Sequence, residues 1–263
     1  MMIALIFAAL VSLWEPAFRT FLHEDDVGEY ISAVVLIMGA VLIVMALFIY
    51  APEGEGKWVQ RIVLSICAVG LFLTGMEEIS WFQRLFLFFG YQVPEWLLAN
   101  NDQGELNFHN RDGATWMFEV AYYVGAVLVL VVSRTILLLP ETWPLRRWLV
   151  PLLPGPAAFA FGVLSTAFAS DTWRIVFIQL SFFLAIGLAL AESVRAKASA
   201  DGATALLFAL VVLTTFVTEL VFINYPQNNQ SSEAREFVIS LGLGLYVAEQ
   251  IFRLRRARLA RMT

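Results

Sequence analysis

Residues 30–50 read YISAVVLIMGAVLIVMALFIY, a run with no charged side chain in which Ser32 is the one interior polar residue. An apolar surface on every side, rather than one stripe, is the pattern of a helix surrounded by lipid or core. About 20 such residues cross a hydrocarbon layer about 30 Å thick. Seven further stretches are apolar enough to qualify or nearly so, at about 2–18, 58–80, 114–139, 147–168, 173–192, 203–224 and 235–252. The first is short, but it lacks a basic leader, and Leu13-Trp14-Glu15-Pro16 follows where a small-residue cleavage site would stand, so it is taken as a helix. The fifth carries Pro151, Pro154 and Pro156, which should kink or delay its start. The expected fold is all-α: a polytopic membrane helix bundle of about eight transmembrane helices forming a single transmembrane domain over 1–263.

Composition agrees. Of the 263 residues, 60% are hydrophobic and 15% charged, against about 45–50% and about 25% in soluble domains. Mean hydropathy is +0.74. Soluble, disordered, collagenous and disulfide-rich classes are thereby excluded. Cys67 is the lone cysteine, so neither an intrachain disulfide nor a thiolate metal cluster is available.

Basic residues set the orientation. With the N-terminus in the cytoplasm, twelve fall on the inner side: Lys57, Arg61, Arg134, Arg146, Arg147, Arg195, Lys197 and the tail Arg253, Arg255, Arg256, Arg258 and Arg261. Arg19, Arg84, Arg111, Arg174 and Arg235 make five outside. Both termini are therefore expected in the cytoplasm. Trp14, Trp81, Trp96, Trp116 and Trp173 fall at outer ends, and Trp58, Trp143 and Trp148 at inner ends, as aromatic belts require. The basic tail suits anionic headgroups rather than nucleic acid.

The chemistry concentrates in the long outer loop, 81–113, and the helix entering it. Glu77, Ser80, Trp81 and Arg84 lie at i, i+3, i+4 and i+7, one face of a helix still running. Paired acids such as Glu77 and Glu78 at the end of an apolar helix are costly unless paired or wet. Residues 85–98 are too apolar for a water-exposed loop and too interrupted to span, so an interfacial helix, a lid or substrate platform, is expected there. Asn101-Asp102-Gln103-Gly104-Glu105-Leu106-Asn107-Phe108-His109-Asn110 follows, dense in amides and acids with one imidazole. Glu119 and Glu219 fall about one turn inside the outer ends of their helices, at the same depth. Glu249 instead sits at the inner end, four residues before Arg253, a spacing that suits a structural pair.

The two polar clusters together, Glu-Glu-Ile-Ser-Trp-x-Gln-Arg and Asn-x-Gln-x-Glu-x-Asn-x-His-Asn, resemble a pattern recurring in uncharacterised bacterial multi-pass membrane proteins. The resemblance covers about 35 residues, at Glu77, Glu78, Ser80, Trp81, Gln83, Arg84, Asn101, Gln103, Glu105, Asn107, His109 and Asn110. Phe82 stands where that pattern has a small residue, and Gly104 is unusual as well. The resemblance implies a bacterial inner-membrane location and carries no activity. A likeness to intramembrane CAAX-type proteases fails on spacing: five residues separate Glu78 from Arg84 where that pattern, E-E-x-x-x-R, has three, and its histidine motifs are missing.

Three functions fit these residues. The first is a membrane-embedded enzyme acting on a lipid or lipid-linked substrate at the periplasmic leaflet. Glu77 or Glu78 would be the general base, His109 the acid or a metal ligand, and Arg84 the holder of a phosphate or oxyanion. Ser80, Trp81, Gln83, Gln103, Asn107, Asn110, Glu119 and Glu219 would contact substrate. Glu77, Glu105 and His109 could hold a hard divalent cation. The second is a non-catalytic subunit of a larger membrane assembly, with Gly242 and Gly244 allowing close helix contacts and a membrane protein as partner. The third is a proton- or cation-coupled transporter. Against it, the polar groups lie near one surface rather than at the midplane, with Thr214, Thr215 and Thr218 a partial exception. No lysine within a span excludes a retinal Schiff base.

Overall fold

The computed structural model describes residues 27–98, 106, 130–165, 187, 190–192, 194–195, 197–198, 201–224 and 230–262. Among them every regular element is helical. In chain order these are α1 (Val27–Ile49), α2 (Lys57–Glu78), α3 (Gln83–Phe88), α4 (Glu95–Leu98), α5 (Pro144–Leu149), α6 (Pro156–Ser165), α7 (Gly202–Asn224) and α8 (Gln230–Leu259). Single 3-10 turns occupy Ser80–Phe82 and Val150–Leu152, and residues 130–138 are also helical. Among the described residues three helices are long and apolar enough to cross a membrane: Gly28–Ile49, Lys57–Glu78 and Glu236–Leu259. The broken pair Pro144–Leu152 and Pro156–Ser165 makes a fourth candidate. The expected spans at 2–18 and 173–192, and most of 114–139, lie outside the described residues or nearly so.

Two compact units emerge, one of Ser32–Gly155 with Leu243–Thr263, the other of Met1–Ile31 with Pro156–Gly242. In the first, α1 supplies Leu36, Ala40 and Ile43 and α2 supplies Leu64, Ala68 and Leu71 to one core, joined by Leu152 and by Val247 of α8. Each set of three is spaced i, i+4, i+7, which aligns it along one side of its helix. Small residues bring the helices close. A Cβ on Gly75 would lie 2.8 Å from Ile37 Cγ1, and one on Gly244 would lie 2.8 Å from Val35 Cγ1. The remaining sides of α1 stay bare: Val34, Met38, Val41, Met45 and Phe48 are all exposed. A continuous apolar stripe of that kind is stable against lipid and a liability in water.

The proline-rich segment between α5 and α6 has backbone groups that its prolines prevent from pairing helically. One side of α8 meets them. Tyr246 Oη donates to the Leu152 carbonyl at 2.9 Å, and Glu249 Oε2 accepts the Gly155 N–H at 2.6 Å. Arg253 Nη1 donates to the Pro151 and Leu153 carbonyls at 2.9 and 2.6 Å. Within a membrane, irregular backbone survives only where protein satisfies it, so these three side chains make the break tenable. Glu249 and Arg253 thus have a structural role directed at the 151–155 backbone.

In the second unit, α6 packs on α7 through Phe159 and Phe208, both fully buried, with ring centroids 6.0 Å apart in an edge-on arrangement. A Cβ on Gly242 would lie 3.0 Å from Phe161 Cβ, so this glycine also permits a close contact. α7 starts at an Asp201 cap: its Oδ1 accepts the Thr204 N–H at 3.0 Å. That bond holds the Asp201 carboxyl below its ordinary pKa.

Candidate functional site

At the C-terminal end of α2, Glu77 and Glu78 face the negative pole of the helix with no basic residue in the last turn. The helix stops there. Ser80, Trp81 and Phe82 take left-handed backbone conformations, with φ of 46°, 52° and 62°. Their turn is closed by the Phe82 N–H donating to the Ile79 carbonyl at 3.0 Å, and Gln83 then restarts a right-handed helix. This corrects the expectation of a helix running on through Arg84: a change of hand separates Glu77 and Glu78 from Gln83 and Arg84.

Left-handed backbone costs roughly 1–2 kcal/mol per non-glycine residue, because Cβ crowds the carbonyl. Three in succession persist only where the surroundings over-determine them, and such strain gathers at functional sites. Two side-chain contacts hold this one. Trp81 Nε1 donates to Glu77 Oε1 at 2.6 Å, four residues back across the break. Gln83, 7% exposed, accepts the Leu106 N–H on its Oε1 at 2.6 Å. Ser80 is buried at the centre of the turn. Leu106 lies between Glu105 and Asn107, so the second contact joins the two polar clusters 23 residues apart in sequence.

The expected interfacial helix is two short helices instead. After α3, Gly90 takes a φ of 81°, a conformation glycine adopts without a Cβ penalty. The Gly90 N–H donates to the Leu87 carbonyl at 3.0 Å and the Tyr91 N–H to the Phe86 carbonyl at 2.9 Å, a Schellman closure. Pro94 precedes α4. Phe88, Phe89, Tyr91 and Trp96 are all well exposed, so the segment keeps the apolar surface expected of it.

The structure therefore brings together Glu77, Glu78, Ser80, Trp81 and Gln83, with Leu106 from the second cluster. Arg84 lies in α3 and Glu219 in α7, but their side chains are outside what is described. Gln103, Glu105, Asn107, His109, Asn110 and Glu119 lie outside the described residues. Of the expected cation ligands Glu77, Glu105 and His109, only Glu77 is described. Among the described residues no group of three or more His, Cys, Asp or Glu is arranged to hold a metal.

A second polar group escapes a reading by charge alone. Tyr246, Glu249, Gln250 and Arg253 recur at i, i+3, i+4 and i+7 in an otherwise apolar helix, which is the signal that marks them. Comparison with protein-family models, with curated proteins and with solved structures finds no match to this chain.

Proposed function

We propose that the chain is a multi-pass protein of a bacterial inner membrane, with about eight spans and both termini cytoplasmic. In this reading the Glu77–Arg84 turn and the 101–110 segment form a polar site facing the periplasm, where a lipid or lipid-linked substrate is turned over. The observation that carries it is the bond from the Leu106 N–H to Gln83, which ties the second cluster to a strained turn bearing two carboxylates. Glu77, whose Oε1 accepts from Trp81, or Glu78 takes the part of general base. His109 serves as acid, or with Glu77 and Glu105 as ligand to a hard divalent cation. Arg84 holds the phosphate or oxyanion, while Ser80, Trp81, Gln103, Asn107, Asn110, Glu119 and Glu219 contact substrate. The exposed aromatic residues of 86–96 admit that substrate from the bilayer.

The test is turnover of a total bacterial lipid extract by the purified protein in nanodiscs, followed by mass spectrometry. A lipid species should disappear with wild type and persist with Glu78→Gln and His109→Ala, both eluting as monodisperse protein. If wild type consumes nothing with or without added Mg²⁺ or Mn²⁺, or both variants consume lipid as wild type does, the enzymatic reading fails. Orientation is separable. In a Cys67→Ser background, an impermeant maleimide added to intact spheroplasts should label Gln92→Cys and spare Glu55→Cys; the reverse pattern would invert the topology.

A further inference from the structure

Val35 lies beside Gly244, Gly39 beside Val247 and the Ile49 carbonyl beside Arg258, so α1 and α8 run side by side in the same direction. Between them is an open groove of about 430 Å³, within the roughly 300–1,000 Å³ of small-molecule sites. Its floor is the helix contact itself: Gly39 and Val247 are buried, and a Cβ on Gly39 would lie 3.3 Å from Val247 Cγ2. Its sides are the exposed Met38 and Leu42 of α1 and Phe252 of α8. On α8 the lining residues Gly244, Ala248, Ile251 and Arg255 recur at i, i+4, i+7 and i+11, a single face of the helix. That face is apolar until its last member. From Gly244 to Arg255 the helix rises roughly 16 Å, about half of a hydrocarbon layer about 30 Å thick. The groove therefore has the depth of one leaflet and ends on a guanidinium.

The arginines at that end are not equivalent. Arg253 is taken up by the Pro151 and Leu153 carbonyls, Arg258 by the Ile49 carbonyl and Arg261 by Glu53. Arg255 and Arg256 are exposed and, among the described residues, meet no carboxylate. Both border the groove: Arg255 lines it, and Arg256 Cζ lies 4.4 Å from the ring centre of Phe252. Two uncompensated charges of one sign thus stand at the mouth of an apolar groove. We propose that the groove holds one anionic phospholipid, with an acyl chain between α1 and α8 and the phosphate between Arg255 and Arg256. The apolar walls take the chain, and arginine suits phosphate because its planar fork can pair two oxygens at once. A zwitterionic headgroup would bring an ammonium to the same two guanidiniums, and like charges repel. A second copy docked groove to groove would set its own Arg255 and Arg256 against these, so lipid rather than another chain is the occupant. The site rests on the membrane reading of α1 and α8 and is independent of any role of the Glu77–Arg84 turn.

The experiment uses the full chain, delipidated in an uncharged detergent, with bound lipid counted by native mass spectrometry. Three titrations add phosphatidylglycerol, phosphatidylcholine and diacylglycerol, all with the same acyl chains. Wild type should retain one phosphatidylglycerol per chain, at least about tenfold more tightly than either of the others. Arg255→Gln/Arg256→Gln should remove that preference. Ala248→Trp fills the groove without touching its charge and should weaken phosphatidylglycerol by a similar factor. Equal retention of phosphatidylglycerol and phosphatidylcholine by wild type would overturn the proposal. So would loss in the arginine variant with Ala248→Trp unchanged, which would leave a basic tail attracting headgroups with no part for the groove. A dimer that forms as lipid is removed, and that Ala248→Trp abolishes, would overturn it by giving the groove to a second copy.

Discussion

Gln83 Oε1 accepts the backbone N–H of Leu106 at 2.6 Å, from a glutamine almost wholly buried beside a left-handed turn. A side-chain oxygen spent on a backbone donor this distant in sequence ties together two segments 23 residues apart. It also explains why a strained turn is kept: Gln83 reaches Leu106 only because the chain reverses hand over Ser80–Phe82 before the next helix begins. That bond and the Trp81–Glu77 bond work against the cost of the turn.

The turn makes Phe82 sensitive to backbone rather than side-chain chemistry. Its φ of 62° is one that glycine adopts freely and a β-branched residue resists. Phe82→Gly is expected to match wild type or exceed it by up to about 1 kcal/mol. Phe82→Val is expected to fall below it by roughly 1–2 kcal/mol. Urea unfolding of the two variants in one detergent checks the order; valine equal to glycine would mean that the backbone there is not left-handed.

The clip on the proline break predicts coupled losses. Glu249→Leu strands the Gly155 N–H and should cost about 1–3 kcal/mol, and Tyr246→Phe about 1 kcal/mol. Gly155→Ala acts on the same contact, since its Cβ would lie 2.7 Å from the Glu249 carboxyl carbon. The double variant Gly155→Ala/Glu249→Leu should therefore lose much less than the sum of the singles. A double-mutant cycle by chemical denaturation reads this directly, and strict additivity would contradict the contact.

The Asp201 cap gives the start of α7 a dependence on pH. Its carboxyl pKa is lowered in the folded chain, chiefly by the Thr204 N–H. The stabilisation is thus fully present above the ordinary carboxylate pKa, about 3.9, and lost as pH falls through the lower folded value. Amide exchange at Ala203–Ala205, corrected for intrinsic rate, should accelerate on going from neutral pH to below that range. Asp201→Asn, which caps without titrating, should remove the dependence; an unchanged pH response in that variant would place its origin elsewhere.

What could be read in advance follows the range of the physics. The apolar runs at 30–50, 58–80 and 203–224 correspond to Val27–Ile49, Lys57–Glu78 and Gly202–Asn224, because burial in lipid or core acts on each residue separately. α8 outruns its apolar stretch at 235–252, since residues such as Gln230 and Arg256 continue a helix at no hydrophobic gain. The break after Glu78 has no local signal: Ser80, Trp81 and Phe82 include no glycine or asparagine, and contacts with Glu77 and Leu106 impose it. The Tyr246–Arg253 face carries a clear i, i+3, i+4, i+7 signal. Its target does not, because Pro151–Gly155 lies 94 to 102 residues away and is found only by packing.

The union of the two polar clusters rests on the Leu106 amide, and its exchange rate tests that union most directly. Hydrogen exchange of the purified protein, resolved to the 101–110 peptide, should show Leu106 protected in wild type and unprotected in Gln83→Ala, with α1 and α2 unchanged in both. Fast exchange at Leu106 in wild type, or identical protection in Gln83→Ala, would contradict the account and separate the carboxylate turn from the histidine-bearing segment.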